Sequence, residues 1–202
     1  MSKQRVSARQ VVAARNIEAV LDAAQRLLQR GEEPSMLAVA SEAGVSRPTL
    51  YGHFPDRKHL LEALVERAVR GATEAMASAE PERGPAVEAL QRLVASGWQE
   101  LARNEEINRG AAAELSGDAM RRAHEAVRTV IRGLVERGRK DGSFRTDVPT
   151  DWLVTSCLAL IHAAAEEVRA RQLEQPIALD VLSTTIADLL VGRQEVARRL
   201  VS

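Results

Sequence analysis

The sequence predicts an all-α protein, and three observations carry that expectation. Apolar residues recur every three and four positions in stretch after stretch, the spacing that lays one stripe along a helix. No stretch alternates apolar and polar residues as a half-buried strand would. Glycine and proline separate the stripes, and both punctuate helices. At 202 residues the chain can hold one larger domain or two modest ones. Apolar residues make up 45% of it and aromatic residues 2%, so the core must be built from Leu, Val, Ile and Ala.

The first stripe is Ile17, Val20, Leu21, Ala24, Leu27 and Leu28, closed by Gly31 and stopped by Pro34. Ahead of it, Met1 to Asn16 holds Lys3, Arg5, Arg9 and Arg15 and no acidic residue. That composition suits a basic arm over residues 1–12 that tracks phosphates or enters a minor groove, or else a solubilising terminus. The formal net charge is zero, so nucleic acid is signalled by the distribution of charge and not by its total.

Ser35 to Leu61 reads as a helix-turn-helix followed by the start of a supporting helix. Ser35 can cap a first short helix that places Met36, Val39, Ala40 and Ala43 on one face. Ala43-Gly44-Val45-Ser46 is a tight corner, with Gly44 suited to positive φ. Ser46 can cap a second short helix, and Pro48 is tolerated in its first turn. Leu50 and Phe54, one turn apart, pack inward, which leaves Arg47, Thr49, Tyr51 and His53 facing out. A second helix of this kind enters the major groove with its N-terminal residues at base edges. Arg47 can donate twice to guanine, and Thr49 can bond a base or touch a thymine methyl. Tyr51 and His53 suit phosphate oxygens. Asp56 can cap the next helix, whose N-terminus carries Arg57 and Lys58 and favours an anion. The competing reading is a small helical corner with solvated charges.

The string EAGVS-x-x-T-L-Y-x-HF, then a basic residue and Leu60-Leu61, resembles TetR-type transcriptional repressors from about Ile17 to Val69. Pro48 and Gly52 depart from that pattern on or beside the reading face, so the operator cannot be borrowed from a relative. The resemblance implies that Arg57 stands where the family usually has a phosphate-contacting lysine. The DNA-contact candidates are Ser35, Ser46, Arg47, Pro48, Thr49, Tyr51, His53, Arg57 and Lys58.

The helix from Asp56 carries Leu60, Leu61, Leu64 and Ala68 and runs to about Ala79. Pro81, Gly84 and Pro85 break the chain. Val87, Leu90, Val94, Trp98 and Leu101 form a further stripe that stops near Asn104. Ile107, Ala111 and Leu115 mark a short helix ending at Gly117, and Met120 to Leu134 a longer one ending at Lys140-Asp141-Gly142. After Pro149-Thr150, the stretch from Trp152 to Ala165 is apolar nearly all round, which calls for burial on both sides. Leu179, Leu182, Ile186, Leu189 and Leu190 mark a last helix. These two can pair with their copies as a four-helix bundle, giving a homodimer. Two reading helices then reach successive major grooves about 34–36 Å apart, and near-palindromic DNA becomes the target. The resemblance implies the same layout, with about nine helices and the last two forming the dimer. The expected domains are a flexible arm at 1–12, a DNA-binding domain at 13–70 and an effector-binding and dimerisation domain at 71–202.

Other chemistry is thinly represented. His162 and Glu166 are one turn apart, but two ligands do not make a metal site. Cys157 and His162 fall on different helix faces, and His124 and Glu114 read as solvated. There is no phosphate loop, nucleophile elbow or zinc spacing, so no enzyme, metal or cofactor is expected. A lone cysteine fits a reducing cytosol, and no apolar run approaches the roughly 20 residues of a membrane span, so a cytoplasmic protein is expected. TetR-type repressors usually hold an effector between body helices, which loosens their grip on DNA. Candidate lining residues here are Trp98, Leu101, Asn108, Met120, Val127 and His162, each equally readable as core. An aliphatic lining favours a small apolar or amphiphilic effector. The alternative is a DNA-binding regulator whose C-terminal domain docks a protein partner instead.

Overall fold

In a computed structural model the backbone is described from Ser2 to Val191 and the side chains from Gln10 onward. Lys3, Arg5 and Arg9 of the basic arm therefore lie outside the described side chains, as does the end of the expected third domain from residue 192. Among the described residues there are ten helices and no strand. They are α1 (Ser2–Gln29), α2 (Met36–Ala43), α3 (Arg47–His53), α4 (Arg57–Ser78), α5 (Ala86–Arg103), α6 (Glu105–Glu114), α7 (Gly117–Ala123), α8 (Glu125–Lys140), α9 (Thr150–Arg169) and α10 (Gln175–Val191). None of them is long and apolar enough to cross a membrane.

The helices fall into two compact units. One holds the described residues up to Ala68 together with Glu106–Ala123; the other holds Val69–Glu105 and the described residues from His124 onward. In the first, α1 packs on α2 and α2 on α3. Val20, Leu21, Ala24 and Leu27 of α1 are buried there with Val39, Ala40, Leu50, Leu60, Leu61 and Leu64. The segment 106–123 approaches α1 closely: a Cβ on Gly110 would come within 3.1 Å of Leu28 Cδ2.

In the second unit, α8 packs on α9, and α10 packs on α5 and α9. Leu90, Leu93 and Val94 of α5 are buried, as are Ile131, Leu134 and Val135 of α8, Leu153, Val154 and Cys157 of α9, and Leu182, Ile186 and Leu190 of α10. Two arginines hold the loop that follows α4. Arg92 Nε donates to the Ala79 carbonyl (3.0 Å) and its Nη2 to that of Arg83 (2.7 Å). Arg137 donates to the carbonyls of Gly84 and Pro81, both at 2.8 Å. Loop carbonyls without helix partners are thereby satisfied. At the end of α8, the Phe144 ring closes against Gly138, where a Cβ would be only 2.1 Å from the ring. The Phe144 N–H also donates to the Gly138 carbonyl at 2.8 Å.

The structure departs from the sequence-based expectations at two places. The backbone is helical from Ser2, so residues 2–12 of the expected arm form the first turns of α1. No glycine or proline interrupts that stretch. The helix expected from Met120 to Lys140 is two helices, which raises the number from about nine to ten. Ser116 starts the first of them early, its Oγ accepting the Ala119 N–H at 3.3 Å, so Gly117 opens α7 and does not close α6. His124 (φ −85°, ψ 5°) then leaves the helical path, and the segments on either side belong to different compact units. In the single chain, α9 is buried along Leu153, Val154, Cys157, Ile161 and Ala165, and Trp152 on it is 64% exposed.

Candidate nucleic-acid interface

The reading unit is assembled by local capping. Ser35 Oγ accepts the Ala38 N–H at 3.2 Å and starts α2. Gly44 ends α2 in the left-handed region (φ 66°, ψ 26°), and the Val45 N–H reaches back to the Ala40 carbonyl at 3.1 Å. This is the six-to-one closure expected of a glycine after a helix. Ser46 Oγ accepts the Thr49 N–H at 3.2 Å and starts α3, with Pro48 in the first turn. Asp56 Oδ1 accepts the His59 N–H at 3.0 Å and caps α4. That bond, with the His59 ring at 2.8 Å, holds the Asp56 carboxyl below its ordinary range.

Because α3 is amphipathic, its two faces separate. Leu50 is fully buried and Phe54 nearly so, while Arg47, Pro48, Gly52 and Tyr51 are exposed, Tyr51 by 50%. Thr49 and His53 are half-buried at the margin. The Thr49 hydroxyl sits 2.7 Å from that of Ser46, which fixes its rotamer beside the helix start.

Arginines bind the unit together. Glu42 on α2 takes Arg26 of α1 at 3.0 Å and Arg30, in the turn after α1, at 3.3 Å, and their hydrogen bonds depress its carboxyl pKa. Arg67 of α4 reaches Asp22 at 2.7 Å and Gln25 at 2.6 Å on α1. Arg57 is turned the same way, inward. It pairs with Glu114 at 2.9 Å and Glu33 at 3.4 Å, so Glu114, expected to be solvated, is engaged. Arg47 and Lys58, by contrast, are exposed cations with no carboxylate partner among the described residues. The structure thus brings Arg47, Thr49 and Tyr51 to one exposed helix, with Ser35 and Ser46 as caps, Lys58 at the start of α4, and Arg57 drawn aside.

The family model of the tetR bacterial regulatory proteins matches residues 20–64, from the core of α1 through both short helices into α4. Over these residues the chain is similar to the TetR family. A curated relative, the HTH-type transcriptional repressor LfrR of Mycolicibacterium smegmatis, is 35% identical over 82 residues. That match spans 41% of this chain and 43% of the relative. The structure of the TetR-like regulator LfrR of Mycobacterium smegmatis in complex with proflavine superposes with a TM-score of 0.67 at 22% identity, covering 89% of this chain and 98% of that one. FadR of Bacillus subtilis in complex with stearoyl-CoA superposes at 0.72 and 17% identity, covering 87% and 97%.

The six residues expected to line an effector pocket are dispersed. Trp98 and Val127 are buried, Leu101 and His162 half-buried, and all four lie in the C-terminal unit. Asn108 and Met120 are half-buried in the N-terminal unit, so the candidates are divided between two units. The C-terminal unit carries an open groove of about 500 Å³ between Gln91 and Ala95 of α5 and Asp180, Ser183, Thr184 and Asp188 of α10; none of the six lines it. Sequence spacing could not find that groove, because its walls come from helices far apart in the chain. His162 meets the His124 ring edge-on at 5.6 Å, and burial followed by the His124 charge lowers its pKa. His124 is thus not simply solvated, as its sequence context suggests. No group of three or more His, Cys, Asp or Glu among the described residues could hold a metal ion.

Proposed function

We propose that this chain is a DNA-binding transcriptional regulator, a homodimeric repressor that binds a near-palindromic operator and is released by a small-molecule effector. The observation that carries the reading is the Ser46-capped α3, buried at Leu50 and exposed at Arg47 and Tyr51. A helix seated so firmly on one side and bare on the other is suited to a major groove. Arg47 is assigned to a guanine, Thr49 to a base edge, and Tyr51, His53 and Lys58 to phosphates.

Dimerisation through α9 and α10 is supported by large apolar side chains left in solvent: Trp152 (64% exposed) on α9, with Ile177 (48%) and Val181 (47%) one turn apart on α10. The effector is proposed to be apolar or amphiphilic, in keeping with the aliphatic core and with the ligands in the two neighbouring structures, proflavine and stearoyl-CoA.

The experiment is enrichment of duplexes from a random-sequence pool by the full chain. The expected product is an inverted repeat whose half-sites lie about one helical turn apart. Arg47→Ala should relax the preference at one guanine, and Tyr51→Ala should weaken binding to all duplexes alike. A protein that enriches nothing over bulk competitor would overturn the reading.

A further inference from the structure

Arg57 opens α4, yet its guanidinium faces the protein. Nη2 lies 2.9 Å from Glu114 Oε1 in an ion pair, and Nη1 donates to Glu33 Oε2 at 3.4 Å. Nε is closed off from solvent with no hydrogen-bond partner. The Arg57 and Glu114 side chains are 30% and 32% exposed, whereas Glu33 is 86% exposed, so Glu114 is the firmer partner. Glu114 ends α6, and one turn before it Gly110 meets Leu28 of α1. The segment 106–123 therefore touches the reading unit at two separate points, one apolar and one ionic. A cation already matched by two carboxylates has little field left for a phosphate.

We propose that Arg57 is a positioning residue: an internal tie that seats the end of α6 against the start of α4, making no phosphate contact of its own. The proposal rests on the DNA-binding reading only for its effect on affinity. Lys58, exposed and with no carboxylate partner among the described residues, supplies the cation at this helix start one position later. The opposite arrangement, in which Arg57 leaves Glu114 for DNA, would make Glu114 an inhibitory contact. The two arrangements predict opposite signs for one substitution.

The test uses the full chain and the duplex it enriches from a random pool. Arg57→Gln and Glu114→Gln should each weaken binding by about two- to five-fold, the range that a partly exposed ion pair supports. The double variant should lose no more than either single, because both remove the same contact. Plots of log affinity against log salt should stay parallel to wild type for Arg57→Gln and flatten by about 0.9 for Lys58→Gln. A flattened slope for Arg57→Gln, or tighter binding by Glu114→Gln, overturns the proposal. A second measurement needs no DNA: urea midpoints of the two singles and the double. Less-than-additive shifts support the tie, and additive shifts overturn it. If wild-type protein enriches no duplex, the regulator reading fails while the urea cycle still decides the tie.

Discussion

Replacing Gly44 isolates the backbone contribution of the corner before α3. Its φ of 66° and ψ of 26° are left-handed, and an added Cβ would meet nothing within 4 Å. Sterics with neighbours therefore contribute nothing, and only the intrinsic strain of an L side chain remains, about 1–2 kcal/mol. Alanine also stiffens the unfolded chain, which offsets about 0.4–1 kcal/mol of that strain. The net expectation for Gly44→Ala is a loss of about 1 kcal/mol. Gly44→Asn should lose less, because asparagine visits this region more readily, and Gly44→Val more, because β-branching stiffens the backbone. Urea denaturation of the three variants gives the order directly from the midpoints at constant slope. DNA affinity should fall only where the folded population falls, since Ser46 and α3 keep their own cap. Wild-type stability in Gly44→Ala would refute the left-handed corner; a loss above about 3 kcal/mol would refute the open space around it.

Four other outcomes are expected. Gly138→Ala places a methyl on the Phe144 ring and should cost about 3 kcal/mol; adding Phe144→Leu should recover part of the loss, as a urea cycle would show. Leu50→Ala empties a fully buried site and should destabilise by about 2–5 kcal/mol, with loss of DNA binding at temperatures where the head melts. His162 has a lowered pKa when folded, so the unfolded chain takes up the proton first; Tm should hold above pH 6.5 and fall as pH drops below it, and His162→Gln should remove that part of the fall. Burial pushes the Cys157 thiol from 9.0 up to about 12, which cuts its thiolate fraction about a thousand-fold; iodoacetamide at about pH 8 should label the folded chain far more slowly than the urea-unfolded one.

How much of the fold is legible in the sequence follows the range of the interactions involved. The caps at Ser35, Ser46 and Asp56 and the corner at Gly44 are made within a few residues, so neighbouring letters encode them. The buried face of α3 is equally local, because Leu50 and Phe54 need only helical spacing. Arg57 illustrates the limit. Its direction is chosen by Glu114, which comes near only after α6 has folded back. The resemblance therefore points it at DNA, whereas the structure gives it a carboxylate. The break at His124 is hidden for a similar reason, since the apolar stripe runs on across it while the helices on either side join different cores. Ser116 is a legible cap, but the glycine beside it reads more strongly as a terminator, and only the bond to Ala119 decides between them. The groove between α5 and α10 depends on packing between distant segments and leaves no periodic trace.

The close approach of Gly110 to Leu28 has a bearing on synthesis as well as on stability. A ribosome delivers α1 to α4 first, and their cores can begin to close at once. The flank of Leu28 and the Glu114 side of the Arg57 guanidinium nevertheless stay open until α6 has emerged. A nascent chain halted before that point would display an unfinished head, and a mutation at Gly110 would reach the DNA-reading surface from a helix nowhere near it in translation order.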